Sequence, residues 1–227
     1  MSDVVLEAQD LHKIFVLGEE KINVLRGLNL VVNRGDFIGV VGPSGVGKST
    51  LLHILGGLDH PTEGKVFLDG EEMYKMDDSE LARVRNAKIG FIFQFHYLLP
   101  EFTALENVMM PGIIGGQPWA EAKKKAKEIL EEVGLGHRLE HTPVELSGGE
   151  KQRVAIARAL FNNPRVVLAD EPSGNLDPER AEELHNLLFR LNEQGITFVV
   201  ATHNMEFVSR MRKVYRLKRG VLEAYEV

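Results

Sequence analysis

Apolar positions along the chain follow two rhythms. Short unbroken apolar runs, Phe37-Ile38-Gly39-Val40-Val41, Val166-Val167-Leu168-Ala169 and Thr197-Phe198-Val199-Val200-Ala201, have the length of strands and no polar alternation, the pattern of strands covered on both faces. Elsewhere the period lengthens. Trp119 to Val133 (WAEAKKKAKEILEEV) predicts an amphipathic helix closed by Gly134, Glu150 to Phe161 (EKQRVAIARALF) a second closed before Pro164, and Pro178 to Asn192 a third. In the first third, Val4 to Leu11, Val24 to Val32 and Lys65 to Leu68 read as β-like segments, the last ending in the hairpin-type signal Asp69-Gly70. These elements predict a parallel, helix-covered α/β core with a helical insertion, without internal repeats or low-complexity tracts.

Between the first apolar run and Thr50-Leu51-Leu52-His53-Ile54-Leu55, which reads as a helix start, stands Gly42-Pro43-Ser44-Gly45-Val46-Gly47-Lys48-Ser49. It fits the phosphate-loop pattern G-x-x-x-x-G-K-[ST] at every specified position, in the strand-loop-helix setting the motif requires. The glycines let backbone N–H groups and the helix N-terminus point at phosphates. Lys48 can then reach the β- and γ-phosphates of a nucleoside triphosphate, and Ser49 can ligate Mg²⁺.

Two further fragments sharpen the chemistry. Val166-Val167-Leu168-Ala169 ends in Asp170-Glu171, and after a phosphate loop a carboxylate at such a strand tip holds Mg²⁺, the role expected of Asp170. Glu171, one residue on, is expected to polarise a water for attack on the γ-phosphate. Leu146-Ser147-Gly148-Gly149-Glu150 sets a second oxyanion-binding helix N-terminus in the same chain. A geometry that uses both cradles sandwiches two nucleotides head to tail between two copies of the chain.

Composition narrows the class. The 227 residues are 44% hydrophobic and 26% charged, enough for a real core, and no window holds 18 consecutive apolar residues. The N-terminal Met1-Ser2-Asp3-Val4-Val5-Leu6-Glu7 has no signal-peptide pattern, which predicts a cytoplasmic location. The absence of cysteine excludes disulfides and thiolate chemistry, and a net charge of −6 argues against a nucleic-acid partner. Lys123, Lys124, Lys125 and Lys127 alternate with Ala and Glu and read as a solvated helix face. His137 and His141 lie four apart, but Gly134 and Gly136 break helicity and no third ligand is near.

With these motifs in this order, the chain resembles the ATP-binding subunit of an ABC (ATP-binding cassette) transporter over essentially its whole length. To the fragments above the resemblance adds Gln94 after the apolar strand Ile89-Gly90-Phe91-Ile92-Phe93, the stretch Ser173-Gly174-Asn175-Leu176-Asp177, and His203. It implies that Gln94 touches Mg²⁺ and the attacking water, that Asp177 communicates across the dimer, that His203 contacts the γ-phosphate and that Phe15 stacks on adenine. Phe15 stands where Tyr is more usual, and Glu150 where Gln is common. The implied architecture is a phosphate-loop (RecA-like) core with an N-terminal antiparallel β subdomain in residues 1–94 and 162–227. The resemblance implies that residues 95–161 form a helical subdomain carrying the membrane-partner docking segment and the signature motif.

A narrower likeness lies in Gln94-Phe95-His96-Tyr97-Leu98-Leu99-Pro100-Glu101-Phe102-Thr103-Ala104-Leu105-Glu106-Asn107-Val108 together with Ala169 to Asp177. These stretches resemble the lipoprotein-releasing (Lol) ATPases and their macrolide-exporter relatives. The resemblance implies an ATPase peripheral to the cytoplasmic face of the inner membrane that dimerises on ATP and docks to membrane permease subunits through residues 95–111. Other readings are poorer. A GTPase would need an Asn-Lys-x-Asp guanine reader, and the chain contains no Asn-Lys pair. ABC ATPases acting on DNA or ribosomes carry two cassettes or a long insertion. A regulatory ABC ATPase coupled to cell-wall remodelling, or a macrolide-type exporter, remains the alternative.

Overall fold

The computed structural model describes residues 3–226. Six strands form the larger sheet: β3 (Phe37–Val41), β6 (Ile89–Ile92), β7 (Val166–Asp170), β8 (Phe198–Thr202), β9 (Lys213–Lys218) and β10 (Val221–Ala224), in the order β10-β9-β3-β8-β7-β6. All neighbours pair parallel except β9 and β10. A second sheet, antiparallel throughout, has the order β2-β1-β4-β5, from β1 (Val4–Leu17), β2 (Glu20–Asn33), β4 (Glu63–Leu68) and β5 (Glu71–Glu72).

The unbroken apolar runs are explained by burial on both faces of the parallel sheet. Phe37, Val41, Val167, Ala169, Phe198 and Val200 face a core shared with α3 (Ala104–Ile114), α4 (Trp119–Glu132), α5 (Gly148–Leu160) and α6 (Pro178–Glu193). Their strand neighbours Ile38, Val40, Val166, Leu168, Val199 and Ala201 face the opposite core, with α1 (Lys48–Leu55) and the antiparallel sheet. Because side chains alternate along a strand, a sheet covered on both sides must be apolar at every position.

Four elements differ from the sequence-based expectation. Strands β1 and β2 run past Leu11 and begin before Val24, pairing as a hairpin arm out to Leu17 and Glu20. That arm is exposed, so no hydrophobic alternation marks it. Helix α2 (Asp78–Lys88) buries only Leu81 within its span and is capped by Asp77, whose side chain accepts from Glu80 N. Helix α3 contains Pro111, yet a capping box between Thr103 and Glu106 starts it and it buries Leu105, Val108 and Met109.

Candidate functional site

At the C-terminal end of β3 the chain turns into α1 through the Gly-rich loop. Gly47 takes φ of 109°, and a Cβ there would stand 2.5 Å from Val24 Cγ1, so both conformation and space demand glycine. Lys48, only 7% exposed, folds back over its own loop and donates to Gly42 O at 2.9 Å and Pro43 O at 3.3 Å. A cleft of about 280 Å³ opens above it, lined by Val24, Ser44, Gly45, Gly47, Lys48, Ser49, Thr50, Gln94, Asp170 and Glu171. The loop and both acids, more than 120 residues apart in the chain, thus converge because β3 and β7 flank β8 among the parallel strands.

The two acids differ in environment. Burial, the first cause, pushes the Asp170 carboxyl up, and the neighbouring Glu171 charge adds to this while a hydrogen bond with Ser49 opposes it. Oδ1 of Asp170 is buried without a hydrogen-bond partner among the described residues. Hydroxyl, carboxylate and the Gln94 amide form an all-oxygen donor set of the kind that suits a hard cation. Glu171 lies beyond the strand tip at φ 44°, its N–H donating to Ala201 O at 2.8 Å. Its Oε2 accepts from Thr202 Oγ1 at 3.0 Å and from His203 N–H at 3.3 Å, and its Oε1 lies 2.9 Å from His203 Nδ1 and 3.7 Å from Lys48 Nζ.

Gln94 is held by Asn175: its Nε2 donates to Asn175 Oδ1 at 3.1 Å, and Asn175 Nδ2 donates back to Gln94 O at 2.9 Å. Gly42, Pro43 and Val46 line a neighbouring hollow with His203. Sequence reasoning passed over Asn175 and Thr202 as site residues. Thr202 had a signal, since it ends an apolar strand directly before His203.

Three sets of candidate residues stay outside the phosphate-loop cleft. Phe15 sits on the exposed β1 arm with the Lys13 ammonium 4.8 Å from its ring centre. Asp177 caps α6, its Oδ1 accepting from Arg180 N at 3.0 Å. Ser147 caps α5 in a capping box: its N–H donates to Glu150 Oε2 at 2.8 Å and its Oγ accepts from Glu150 N at 3.3 Å. Arg138 Nε donates to the other Glu150 oxygen at 2.8 Å. Hydrogen bonding from the Ser147 backbone, the largest influence, holds the Glu150 carboxyl below its usual range. The glutamate therefore performs the box's structural task in this chain.

A phosphate loop feeding a helix N-terminus, beside a strand ending in two acids on a parallel sheet, defines a phosphate-loop nucleoside triphosphatase. The family profile described as ABC transporter matches residues 25–174. An uncharacterised ABC transporter ATP-binding protein of Thermotoga maritima is 54% identical over 98% of this chain and 95% of its own length. The lipoprotein-releasing system ATP-binding protein LolD of Geobacter metallireducens is 54% identical over 95% of this chain and 96% of its own. The dimeric structure of MJ0796, a bacterial ABC transporter cassette, superposes with a TM-score of 0.88 at 43% identity, covering 96% of each chain. A further structure of that cassette is a dimeric post-hydrolysis state bound to ADP and Pi. The chain belongs to the ABC transporter family, and it is an ATP-binding cassette with ATPase activity. Among the described residues no helix is long and apolar enough to cross a membrane.

Proposed function

We propose that this chain is the ATP-hydrolysing subunit of an inner-membrane complex that releases lipoproteins, working as a head-to-tail dimer with Mg²⁺ as cofactor. One observation carries the dimer: no residue of 147–150 lines the phosphate-loop cleft, so the second cradle serves a nucleotide held by another copy. The dimeric form of the MJ0796 cassette supports this geometry, and the name of the Geobacter metallireducens relative supports lipoprotein as cargo.

In this reading the loop amides of Ser44 to Thr50 take the phosphates, and Lys48 exchanges its carbonyl partners for phosphate oxygens. Ser49, Asp170 and Gln94 hold Mg²⁺, and the buried free oxygen of Asp170 is the group that fits it. The cation supplies neutralisation of charge on the β- and γ-phosphates. Glu171 accepts a hydrogen bond from the attacking water once His203 turns toward the γ-phosphate. Ser147, whose hydroxyl proton is left free by its role as an acceptor in the cap, donates to the partner's nucleotide along with the N–H groups of Gly148, Gly149 and Glu150. Asp177 stands at the adjoining helix start, and Phe15 stacks on the base.

Residues 95–111 form the docking segment for membrane permease subunits. Phe95 and Tyr97 are 63% and 65% exposed. Beside them runs a groove of about 370 Å³ lined by Leu58, Phe91, Phe93, Pro111 and Ile114 among others. Reconstitution tests the whole reading. Vesicles holding the membrane subunits, this chain and a lipid-anchored lipoprotein should pass the lipoprotein to a soluble acceptor only with MgATP. Hydrolysis that the membrane subunits stimulate while the lipoprotein stays in the bilayer would shift the assignment to a regulatory or exporter role.

A further inference from the structure

The helix that begins at Ser147 also grips the chain on either side of Gln94. Gln152 Nε2 donates to Phe93 O at 3.3 Å. Farther along α5, the two arms of Arg158 donate to consecutive carbonyls, Nη2 to His96 O and Nη1 to Tyr97 O, each at 2.7 Å. Successive carbonyls of an extended chain point to opposite sides. These two converge because Tyr97 adopts φ of 47°, a left-handed conformation that costs a tyrosine energy. The strained turn and the guanidinium fork therefore explain each other.

Arg158 is an unusual residue for its place. It is half-buried against the apolar groove lined by Phe91, Phe93 and Pro111, and desolvation depresses its pKa, with no carboxylate among the described residues acting to offset it. An apolar side chain would fill the same space without desolvating a cation. What the guanidinium adds is a planar, rigid pair of donors that a lysine or an aliphatic residue cannot reproduce. Its partners are main-chain atoms of the turn that presents the exposed ring of Tyr97. At the other end of this segment Gln94 is tied to Asn175, in the loop that leads to α6.

We propose that Arg158 is the positioning residue that couples the docking segment to the signature helix, by chelating His96 O and Tyr97 O in the left-handed turn. Force applied at Tyr97 then reaches α5 through two charge-assisted bonds, and α5 carries it as a rigid rod to Ser147, 11 residues away, or about 16 Å at 1.5 Å per residue. The proposal rests on the reading that residues 95–111 hold a membrane subunit. Arg158 touches neither nucleotide nor cation in it.

The test compares Arg158→Lys and Arg158→Met with the wild type, each alone and in complex with the membrane subunits. The isolated variants are expected to keep basal ATP hydrolysis and KM for ATP within about twofold, and to co-purify with the membrane subunits. Stimulation of hydrolysis by those subunits should fall by about tenfold, with Lys rescuing little because a point donor cannot fork. Arg158→Lys that is stimulated like the wild type overturns the proposal, whereas a wild-type chain that fails to bind the membrane subunits overturns the docking reading instead. If both variants unfold, nitrogen-15 spectra of the wild-type arginine side chains decide. Slow exchange of the Arg158 Nη protons, lost on Tyr97→Pro, supports the fork, and a freely rotating guanidinium removes it.

Discussion

Glu171 and His203, 32 residues apart, are joined by a 2.9 Å hydrogen bond between Oε1 and Nδ1, while the Thr202 hydroxyl holds the other carboxylate oxygen at 3.0 Å. The expected water-polarising carboxylate is thus already engaged by the histidine expected to read the γ-phosphate. In the proposed mechanism, triphosphate binding draws His203 away and frees Glu171 to face a water.

Glu171→Gln keeps the side chain's shape and its bond from Thr202 but removes the charge. Steady-state hydrolysis should drop by roughly 10²–10⁴-fold, the usual contribution of a positioned base, while ATP binding survives. The trapped species should elute as a dimer in gel filtration with ATP. Normal turnover in this variant would strip Glu171 of the role.

Lys48→Ala should weaken ATP binding itself, because the ammonium that now sits on Gly42 O and Pro43 O is the proposed phosphate contact. Replacing Ser147 by a bulky residue should leave binding intact and block closure. Mixing the two variants separates the alternatives. A heterodimer would assemble one site carrying both lesions and one carrying neither, so activity should recover, and activity that tracks each chain independently of its partner would refute the sandwich.

Phe15→Ala should raise the ATP requirement by about tenfold, since losing a stacking face costs on the order of 1–3 kcal/mol. GTP should support hydrolysis as well, because stacking reads no base edge. An unchanged KM for ATP would mean that the base lies elsewhere, for instance because the Lys13 ammonium retains the ring.

Glu150→Ala should destabilise the chain by about 1 kcal/mol through loss of the N3 half of the capping box, measured by urea unfolding at neutral pH. The Glu150 carboxyl is held low in the folded chain, so its stabilisation is fully present above the ordinary glutamate range. It is lost as pH falls through the depressed folded value. The gap between wild type and variant should therefore close in acid, and a gap that widens there would contradict the capping role.

Tyr97→Asp places a charge on the exposed ring position of the docking segment. Isolated ATP binding should stay within about threefold, as expected of a surface substitution, while co-purification with the membrane subunits and lipoprotein release are lost. A folded variant that still co-purifies would move the docking surface away from Tyr97.

What the sequence determined by itself is what the chain does within a few residues. The phosphate loop is eight consecutive residues between a strand and a helix, and Gly47 is required by its own φ of 109°. Ser147 and Glu150 cap α5 across three residues, and Asp170 and Glu171 end one strand. The double-sided burial of β3, β7 and β8 was legible too, because it leaves an unbroken apolar run. Tertiary structure decided which of these local pieces meet. Strand order sets β7 beside β8, which brings Thr202 and His203 to Glu171, and the fold brings Asn175 to Gln94 across 81 residues and Arg158 to Tyr97 across 61. The exposed arm of β1 and β2 left no periodic trace, since strand pairing holds it rather than a patterned face, and in α3 the helical spacing of Leu105, Val108 and Met109 is masked by Pro111 and by the apolar residues on its other sides. Periodicity reports only which side of an element is covered. The partner across the fold is chosen by packing summed over the whole sheet, and no local run of side chains carries that information.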